Sequence, residues 1–198
     1  MKVAKRCFDL FWTILGLLVL WPVLLLIALA IKIDDKGPVF FRQARVGYQG
    51  RAFYIWKFRT MVVNAERTGR AITVGRDARI TRVGHWLRKT KLDELPQLFN
   101  VFGGDMSLVG PRPEVPRYVA LYTAEQRGVL EVLPGITDPA SIKYRDENDL
   151  LARSADPERT YMDEVMPEKI RINLDYVQHA GILCDFVIIL QTFIKLVR

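Results

Sequence analysis

The chain is organised around Lys89-Thr-Lys-Leu-Asp-Glu-Leu-Pro-Gln-Leu-Phe-Asn-Val-Phe-Gly-Gly-Asp-Met-Ser-Leu-Val-Gly-Pro-Arg-Pro-Glu114. Asp93 is a favourable N-cap, Pro96 suits the first turn of a helix, and Gly103-Gly104 would end it. This pattern predicts a short helix with two adjacent carboxylates, Asp93 and Glu94, at its N-terminus. Because free N–H groups and the helix dipole favour negative charge there, we expect Asp93 to stay ionised and a phosphate to be accommodated nearby.

Cations flank this pair of carboxylates. Arg88 and Lys91 lie close to it, and Arg112 is held between two prolines. Such side chains bind phosphate oxygens, which points to phosphoryl chemistry. On spacing alone, however, Asp93 is equally an ordinary helix cap and Glu94 a favourable charge in the first turn.

The same stretch resembles a known family. The segments Leu92-Asp-Glu-Leu-Pro-Gln-Leu-Phe-Asn-Val101 and Gly104-Asp-Met-Ser-Leu-Val-Gly-Pro-Arg-Pro113 are similar to the signature of the bacterial sugar transferases, the small monotopic phosphoglycosyl transferases. The resemblance implies transfer of a sugar 1-phosphate from a UDP-sugar to undecaprenyl phosphate, with release of UMP, as the first membrane step of surface glycan synthesis. It implies that Asp93 is the nucleophile, forming a covalent aspartyl phosphosugar, and that Glu94 assists.

Further site residues follow from the resemblance. Phe41-Arg-Gln-Ala-Arg-Val-Gly47 and Lys57-Phe-Arg-Thr-Met61 match the family pattern, which implies that Lys57 contacts the substrate phosphates. Arg88 and Arg112 are expected to do the same, with Mg²⁺ bridging Asp93 and the diphosphate.

One loop departs from the family pattern. Leu133-Pro-Gly-Ile-Thr137 is similar to a family loop that continues with Gly, but Asp138 follows here. We expect this loop and the nearby Arg145 to bind the nucleotide or its sugar. The departure leaves the identity of the sugar open.

The N-terminal segment predicts a membrane helix. Leu10 to Ile31 carries no charge, and about 1.5 Å per residue would carry this run across a hydrocarbon core of about 30 Å. No signal-peptide cleavage site follows it, so we expect it to remain in the mature protein. Trp21-Pro22 interrupts the run and both flanks are basic, which admits either an ordinary kinked span or a helix that bends and returns to the same face. The family resemblance favours the re-entrant helix.

Hydrophobic patterning predicts the remaining elements. Segments 37–47 and 51–61 are expected to form a β-hairpin, and 64–75 a loop. Helices are predicted over 77–90, 115–131, 168–180 and 182–197. The last is short for a membrane span and is expected to pack on the core or to lie in the membrane interface.

Composition further limits the number of domains and the class of binding partner. A chain of 198 residues that is 50% hydrophobic and carries a net charge of +7 predicts one domain with a core. The basic charge suits nucleic acid, anionic lipid or phosphorylated substrates, but no nucleic-acid-binding motif is found. Cys7, Cys184, His85 and His179 lack the spacing of a zinc site or a disulfide framework.

Together these observations predict an α/β, helix-dominated protein with a small antiparallel sheet, an N-terminal re-entrant membrane helix and interfacial helices. Residues 1–36 are expected to anchor a catalytic domain of residues 37–198 to the cytoplasmic face of the bacterial inner membrane. The expected partners are a UDP-sugar, undecaprenyl phosphate and membrane lipids, without nucleic acid; a homo-oligomer is left open. The alternative is a non-catalytic, membrane-anchored adaptor with a basic cytoplasmic face.

Overall fold

The computed structural model describes residues 3–65 and 77–197, with side chains as far as Lys195. It is helix-dominated with a small antiparallel sheet, as predicted. The longer elements are α1 (Val3–Asp34), β1 (Phe40–Val46), β2 (Ala52–Phe58), α2 (Arg82–Thr90), α3 (Gln97–Gly103), α8 (Met166–His179) and α9 (Ile182–Val197). The shorter ones are β3 (Ser107–Val109), α4 (Pro116–Val119), β4 (Gly135–Thr137), α5 (Pro139–Lys143), α6 (Glu147–Ala152) and α7 (Pro157–Thr160).

The predicted hairpin is confirmed. Strands β1 and β2 pair antiparallel, with Phe41 opposite Lys57, and Asn100 from α3 is bonded to the backbone of β2. A second pair, β3 with β4, is parallel and was not predicted. It depends on two glycines, because a Cβ at Gly135 would lie 2.1 Å from the Gly110 nitrogen. This parallel pair brings the loop after Thr137 beside Pro111 and Arg112.

Helix α1 packs against the rest of the protein near both of its ends. Close to its start, Lys5 Nζ lies 2.5 Å from Asp185 in α9 and Asp9 accepts a hydrogen bond from the Leu108 nitrogen. Close to its end, Ile27 and Ile31 are buried with Phe58 and Leu87. Among the described residues, α1 is the one helix that is long and apolar enough to cross a membrane. It runs through Pro22 as one helix.

Two predicted helices were wrong in extent. Helix α2 begins at Arg82, not at 77, because the Thr81 hydroxyl caps it by accepting from the Gly84 nitrogen. The region 115–131 is not one helix: α4 ends at Val119, and a 3₁₀ segment follows at Gln126–Glu131. A capping box lies between them, because Thr123 Oγ1 accepts from the Gln126 nitrogen and Gln126 Oε1 accepts from the Thr123 nitrogen. Tyr118, Tyr122 and Val129 share one buried cluster with α8.

The two C-terminal helices were predicted well. Helix α8 begins two residues before the predicted start, and α9 has the predicted bounds. Exposed apolar side chains of α9 include Leu183, Phe193 and Ile194, the kind of face that an interfacial helix presents to lipid. The predicted loop 64–75 lies mostly outside the described residues.

Candidate active site

The two carboxylates lie in a tight connection between α2 and α3, not at a helix cap. Helix α2 ends at Thr90, its C-cap residue Lys91 has a left-handed φ of 58°, and a 3₁₀ turn follows over Leu92–Glu94. Pro96, not Asp93, occupies the N-cap position of α3, and no side chain caps that helix. The prediction that Asp93 is an N-cap was therefore wrong, because a short turn between the two helices takes the place of a capping loop.

Glu94 is bound by two long-range cations. Lys57 Nζ donates to Glu94 Oε1 at 2.8 Å, and the Arg112 guanidinium bonds both carboxylate oxygens, one of them at 2.9 Å. Burial raises the pKa of Glu94, but Arg112 and Lys57 outweigh it and hold the pKa well below its usual range. Burial lowers the pKa of Lys57, and Glu94 opposes that shift. Glu94 is therefore an ionised counter-ion that positions two cations.

Asp93 has a different environment from its neighbour. It is 8% exposed, and its Oδ1 atom has no hydrogen-bond partner in the part of the chain that the structure describes. Burial, and then the negative charge of Glu94, raise the pKa of Asp93, while Lys57 and Arg88 lower it. Asp93 lies before the N-cap of α3, so Lys57 and Arg88, rather than a helix terminus, are the groups that favour its charged form. That Asp93 is ionised stays a prediction.

Arg88 supports the Asp93 side of the site. Its Nε atom donates to Thr60 Oγ1 at 2.8 Å, which ties α2 to the residue that follows β2. Burial lowers the pKa of Arg88 and Asp93 opposes that shift, but a guanidinium remains charged at any physiological pH. Lys57 and Arg88 therefore act on Asp93 from separate elements.

The carboxylates open onto a cavity of about 1600 Å³. Among the described residues on its wall, ten are Lys or Arg and four are Asp or Glu, so the lining attracts anions with several charges. One side is apolar and is formed by α1 and α9: Trp12, Leu15, Val19, Phe186, Leu190 and Phe193. The cavity thus joins a cationic centre to an apolar side.

All six residues predicted for the site line this cavity: Lys57, Arg88, Asp93, Glu94, Arg112 and Arg145. The first five form the cluster described above. Arg145 is separate from it, because its guanidinium donates to the Lys195 carbonyl near the end of α9. Its role in binding the nucleotide or the sugar stays a prediction, as do the roles of the other five.

Sequence reasoning missed a second charged cluster on the cavity wall. Arg45 donates to Glu114 Oε1 at 3.1 Å and to the Pro113 carbonyl, and the Tyr161 hydroxyl donates to the other Glu114 oxygen. Burial lowers the pKa of Arg45, with Glu114 opposing. Arg45 and Glu114 both belong to the motifs quoted above, which was the available signal. Tyr161 lies in a short π-helical turn (Tyr161–Val165) that no pattern indicated.

The described residues contain no group of three or more His, Cys, Asp or Glu side chains able to hold a metal ion. Mg²⁺ is commonly held by one or two carboxylates together with substrate phosphates, and its presence here stays a prediction. Asp93 Oδ1 is the unpartnered oxygen available for that purpose. Both oxygens of Glu94 already bind cations.

Comparison with known proteins identifies the family. The model of the family described as "Bacterial sugar transferase" matches residues 1–198. The chain belongs to the bacterial sugar transferase family. The resemblance seen in the sequence is thereby confirmed.

Similar proteins act on different sugars according to their names. The chain is 39% identical to the UDP-glucose:undecaprenyl-phosphate glucose-1-phosphate transferase of Xanthomonas campestris pv. campestris, over 98% of this chain and 38% of that protein. It is 42% identical to the undecaprenyl-phosphate glucose phosphotransferase of Komagataeibacter xylinus, over 96% of this chain and 35% of that protein. It is 36% identical to the UDP-N-acetylgalactosamine-undecaprenyl-phosphate N-acetylgalactosaminephosphotransferase of Aeromonas hydrophila, over 95% of this chain and 42% of that protein. The chain therefore spans well under half the length of these relatives.

Proposed function

We propose that this bacterial sugar transferase moves a sugar 1-phosphate from a UDP-sugar to undecaprenyl phosphate, releasing UMP. The observation that carries the proposal is the contrast between the adjacent carboxylates. Glu94 is occupied by two cations, whereas Asp93 presents an oxygen with no partner among the described residues. The names of the relatives support the donor and acceptor classes. The relatives differ in the sugar that they transfer, so the sugar is left unassigned.

The proposed reaction has two steps. Asp93 attacks the phosphorus that carries the sugar; an O–P bond forms, the diphosphate P–O bond breaks, and UMP leaves. A phosphate oxygen of undecaprenyl phosphate then attacks the same phosphorus, which releases the Asp93 carboxylate and forms the lipid-linked diphosphate sugar. A carboxylate is a weak nucleophile, so neutralisation of the phosphate charge has to contribute most of the rate. We assign that role to Lys57, Arg88 and Arg112, which line the cavity with Asp93.

We assign the metal role to Asp93. Its free oxygen, together with the substrate diphosphate, suits Mg²⁺, which would neutralise phosphate charge and lower the pKa of the carboxyl. Glu94 stays bound to Lys57 and Arg112 and holds these two side chains at the cavity wall.

The proposed function is tested by incubating the purified protein with a panel of UDP-sugars and undecaprenyl phosphate and measuring UMP. We expect one or a few UDP-sugars to release UMP in Mg²⁺, EDTA to stop the release, and excess Mg²⁺ to restore it. Full release in EDTA would show that the cationic side chains suffice without a metal. No release with any sugar would leave the membrane-anchored adaptor as the better interpretation.

We further propose that α1 enters the membrane from the cytoplasmic side and returns to it. The support is that its first two turns and its last two turns both contact the same body, through Lys5 and Asp9 at one end and Ile31 at the other. Between them, Leu18, Trp21, Leu25 and Leu26 are exposed. A helix that crossed the bilayer would leave its first turns on the far side, away from α9.

The topology predicts a specific labelling result. Single cysteines introduced by Val3→Cys or Lys36→Cys, with Cys7 and Cys184 changed to Ser, should both resist a membrane-impermeant thiol reagent added to intact cells. Both should react after permeabilisation, which serves as the control. Labelling of the protein with Val3→Cys alone in intact cells would contradict the re-entrant arrangement and support a span.

A further inference from the structure

Three buried polar atoms on the cavity wall lack a hydrogen-bond partner among the residues that the structure describes. They are Asp93 Oδ1, Arg45 Nε and Asn173 Oδ1. Burying a polar atom without a partner is unfavourable, so a water or a ligand in the cavity would supply the missing bond. The proposed reaction uses Asp93, and Glu114 and Gln43 hold the rest of the Arg45 guanidinium. Asn173 belongs neither to the cluster around Asp93 nor to the cluster around Arg45.

Asn173 lies on the face of α8 that borders the cavity. Met166, Lys169, Ile170 and Asn173 all line it, and their spacing places them on one side of the helix. Lys169 Nζ lies 5.7 Å from the centre of the Tyr161 ring. Asn173 follows Lys169 by about one turn, roughly 6 Å along the axis.

Aromatic rings surround the start of this face. The rings of Tyr118 and Tyr161 have their centres 5.1 Å apart, and both belong to the buried cluster that contains Met166 and Ile170. Tyr144 packs against the same cluster and also lines the cavity. Asn173 is therefore a polar group at the edge of an aromatic part of the cavity.

A second buried asparagine, Asn100, has hydrogen-bond partners that Asn173 Oδ1 lacks among the described residues. Asn100 is 3% exposed and Asn173 is 5% exposed. Asn100 Oδ1 accepts from the Trp56 nitrogen at 2.9 Å, and its Nδ2 donates to the Tyr54 carbonyl at 2.8 Å. Where an asparagine has a structural role, the fold provides both partners. Asn173 lacks that provision.

The aromatic part of the cavity adjoins the phosphate-binding cations. Lys169 Nζ is 2.6 Å from Glu147, and the charge of Glu147 acts on Arg112. The apolar side formed by α1 and α9 suits the lipid acceptor, so the part bordered by α8 is available to the nucleotide. In an in-line displacement the leaving nucleotide lies away from the attacking carboxylate.

We propose that Asn173 binds the edge of the uracil base and is a specificity residue for the nucleotide. This inference rests on the proposed function. An asparagine amide has a donor and an acceptor in one plane, which complements the N3–H donor and the adjacent carbonyl acceptor of uracil. The sugar hydroxyls are the competing occupant, and the test separates the two.

The test measures binding by calorimetry, so it does not depend on knowing the transferred sugar. The ligands are UMP and ribose 5-phosphate, which lacks the base. In the Asn173→Leu protein, which keeps the branched shape of the side chain and removes both of its polar groups, we expect the Kd of UMP to rise about tenfold or more and that of ribose 5-phosphate to stay unchanged. The Tm should stay level or rise, because an unpartnered polar group is removed. Asn100→Leu is the matched control and should lower the Tm, because it leaves two backbone groups of β2 unpaired.

Each of the remaining outcomes would contradict the inference, and the measured values distinguish one outcome from another. If the binding of both ligands weakens equally, or if the Tm falls as in Asn100→Leu, Asn173 has a structural role. If the Asn173→Leu protein does not fold, the same comparison is made with Asn173→Ser, whose side chain is smaller and still polar. An unchanged Kd for UMP with weaker binding of the UDP-sugar would place Asn173 at the sugar. If the wild-type protein does not bind UMP at all, the proposed function itself fails.

Discussion

Replacing Asp93 by Asn is expected to reduce transfer at least about a thousandfold and to prevent any covalent adduct, because the substitution keeps the size of the side chain and removes the nucleophile. The fold should not suffer. Asp93 Oδ1 has no partner among the described residues, and burial already raises the pKa of Asp93 towards its neutral form. We therefore expect the Asp93→Asn protein to have a Tm equal to or above that of the wild type.

Intact-protein mass spectrometry gives the decisive measurement. After incubation with the correct UDP-sugar alone, the wild-type mass should increase by one sugar phosphate, mapped to Asp93 by fragmentation, and addition of undecaprenyl phosphate should remove it. Asp105→Asn, an exposed carboxylate outside the cavity, is the control and should form the adduct normally. Turnover by the Asp93→Asn protein, or UMP release that needs both substrates and never leaves an adduct, would favour direct transfer.

Elements whose signal is local were predictable from the sequence. The hairpin follows from two strands that contain aromatic residues and are separated by a glycine-bearing turn, and its antiparallel pairing is confirmed. Helix α9 is bounded by Gly181 and by the basic end of the chain, and its predicted limits hold. In each case residues near one another in sequence carry the pattern, so tertiary contacts only reinforce it.

Elements decided by tertiary packing were not predictable. The parallel pairing of β3 with β4 joins segments 28 positions apart, Ser107 with Gly135, and requires two glycine backbones in close contact. The broken helical region after Val115 had a local signal that the hydrophobic pattern did not show, because Thr123 and Gln126 bond each other's backbone nitrogens as a capping box. Local propensity was overridden in the parallel pair.

The features of the site also divide into those that the sequence predicts and those that it does not. The motif containing Asp93, Glu94 and Arg112 could be identified because family resemblance is itself a sequence property. The hydrogen bonds that distinguish the two carboxylates could not be identified from the sequence, because Lys57 lies 37 positions from Glu94 and Arg112 lies 18 positions from it. Adjacent acids with similar intrinsic pKa values thus acquire opposite shifts from contacts that the sequence does not display.

Replacing Glu94 by Gln is expected to slow transfer by about ten- to a hundredfold and to move the pH profile to lower pH. The rate falls because Lys57 and Arg112 lose the charged partner that positions them. The direction of the pH shift follows from two groups. Glu94 raises the pKa of Asp93, which must be ionised to attack. It also raises the pKa of Lys57, which must be protonated to bind phosphate. Loss of the charge of Glu94 lowers both pKa values.

Both limbs of the bell-shaped profile of kcat/KM should therefore move in the acidic direction, since the acidic limb reports Asp93 and the basic limb reports Lys57 in the free enzyme. Glu125→Gln, an exposed acid away from the cavity, should leave both limbs in place and controls for net charge. The adduct on Asp93 should still form in the Glu94→Gln protein, only more slowly. A slower reaction with both limbs unmoved would mean that Glu94 acts through geometry alone. A shift of the acidic limb to higher pH would contradict the assignment of that limb to Asp93, because removing a neighbouring negative charge can only make a carboxyl group more acidic.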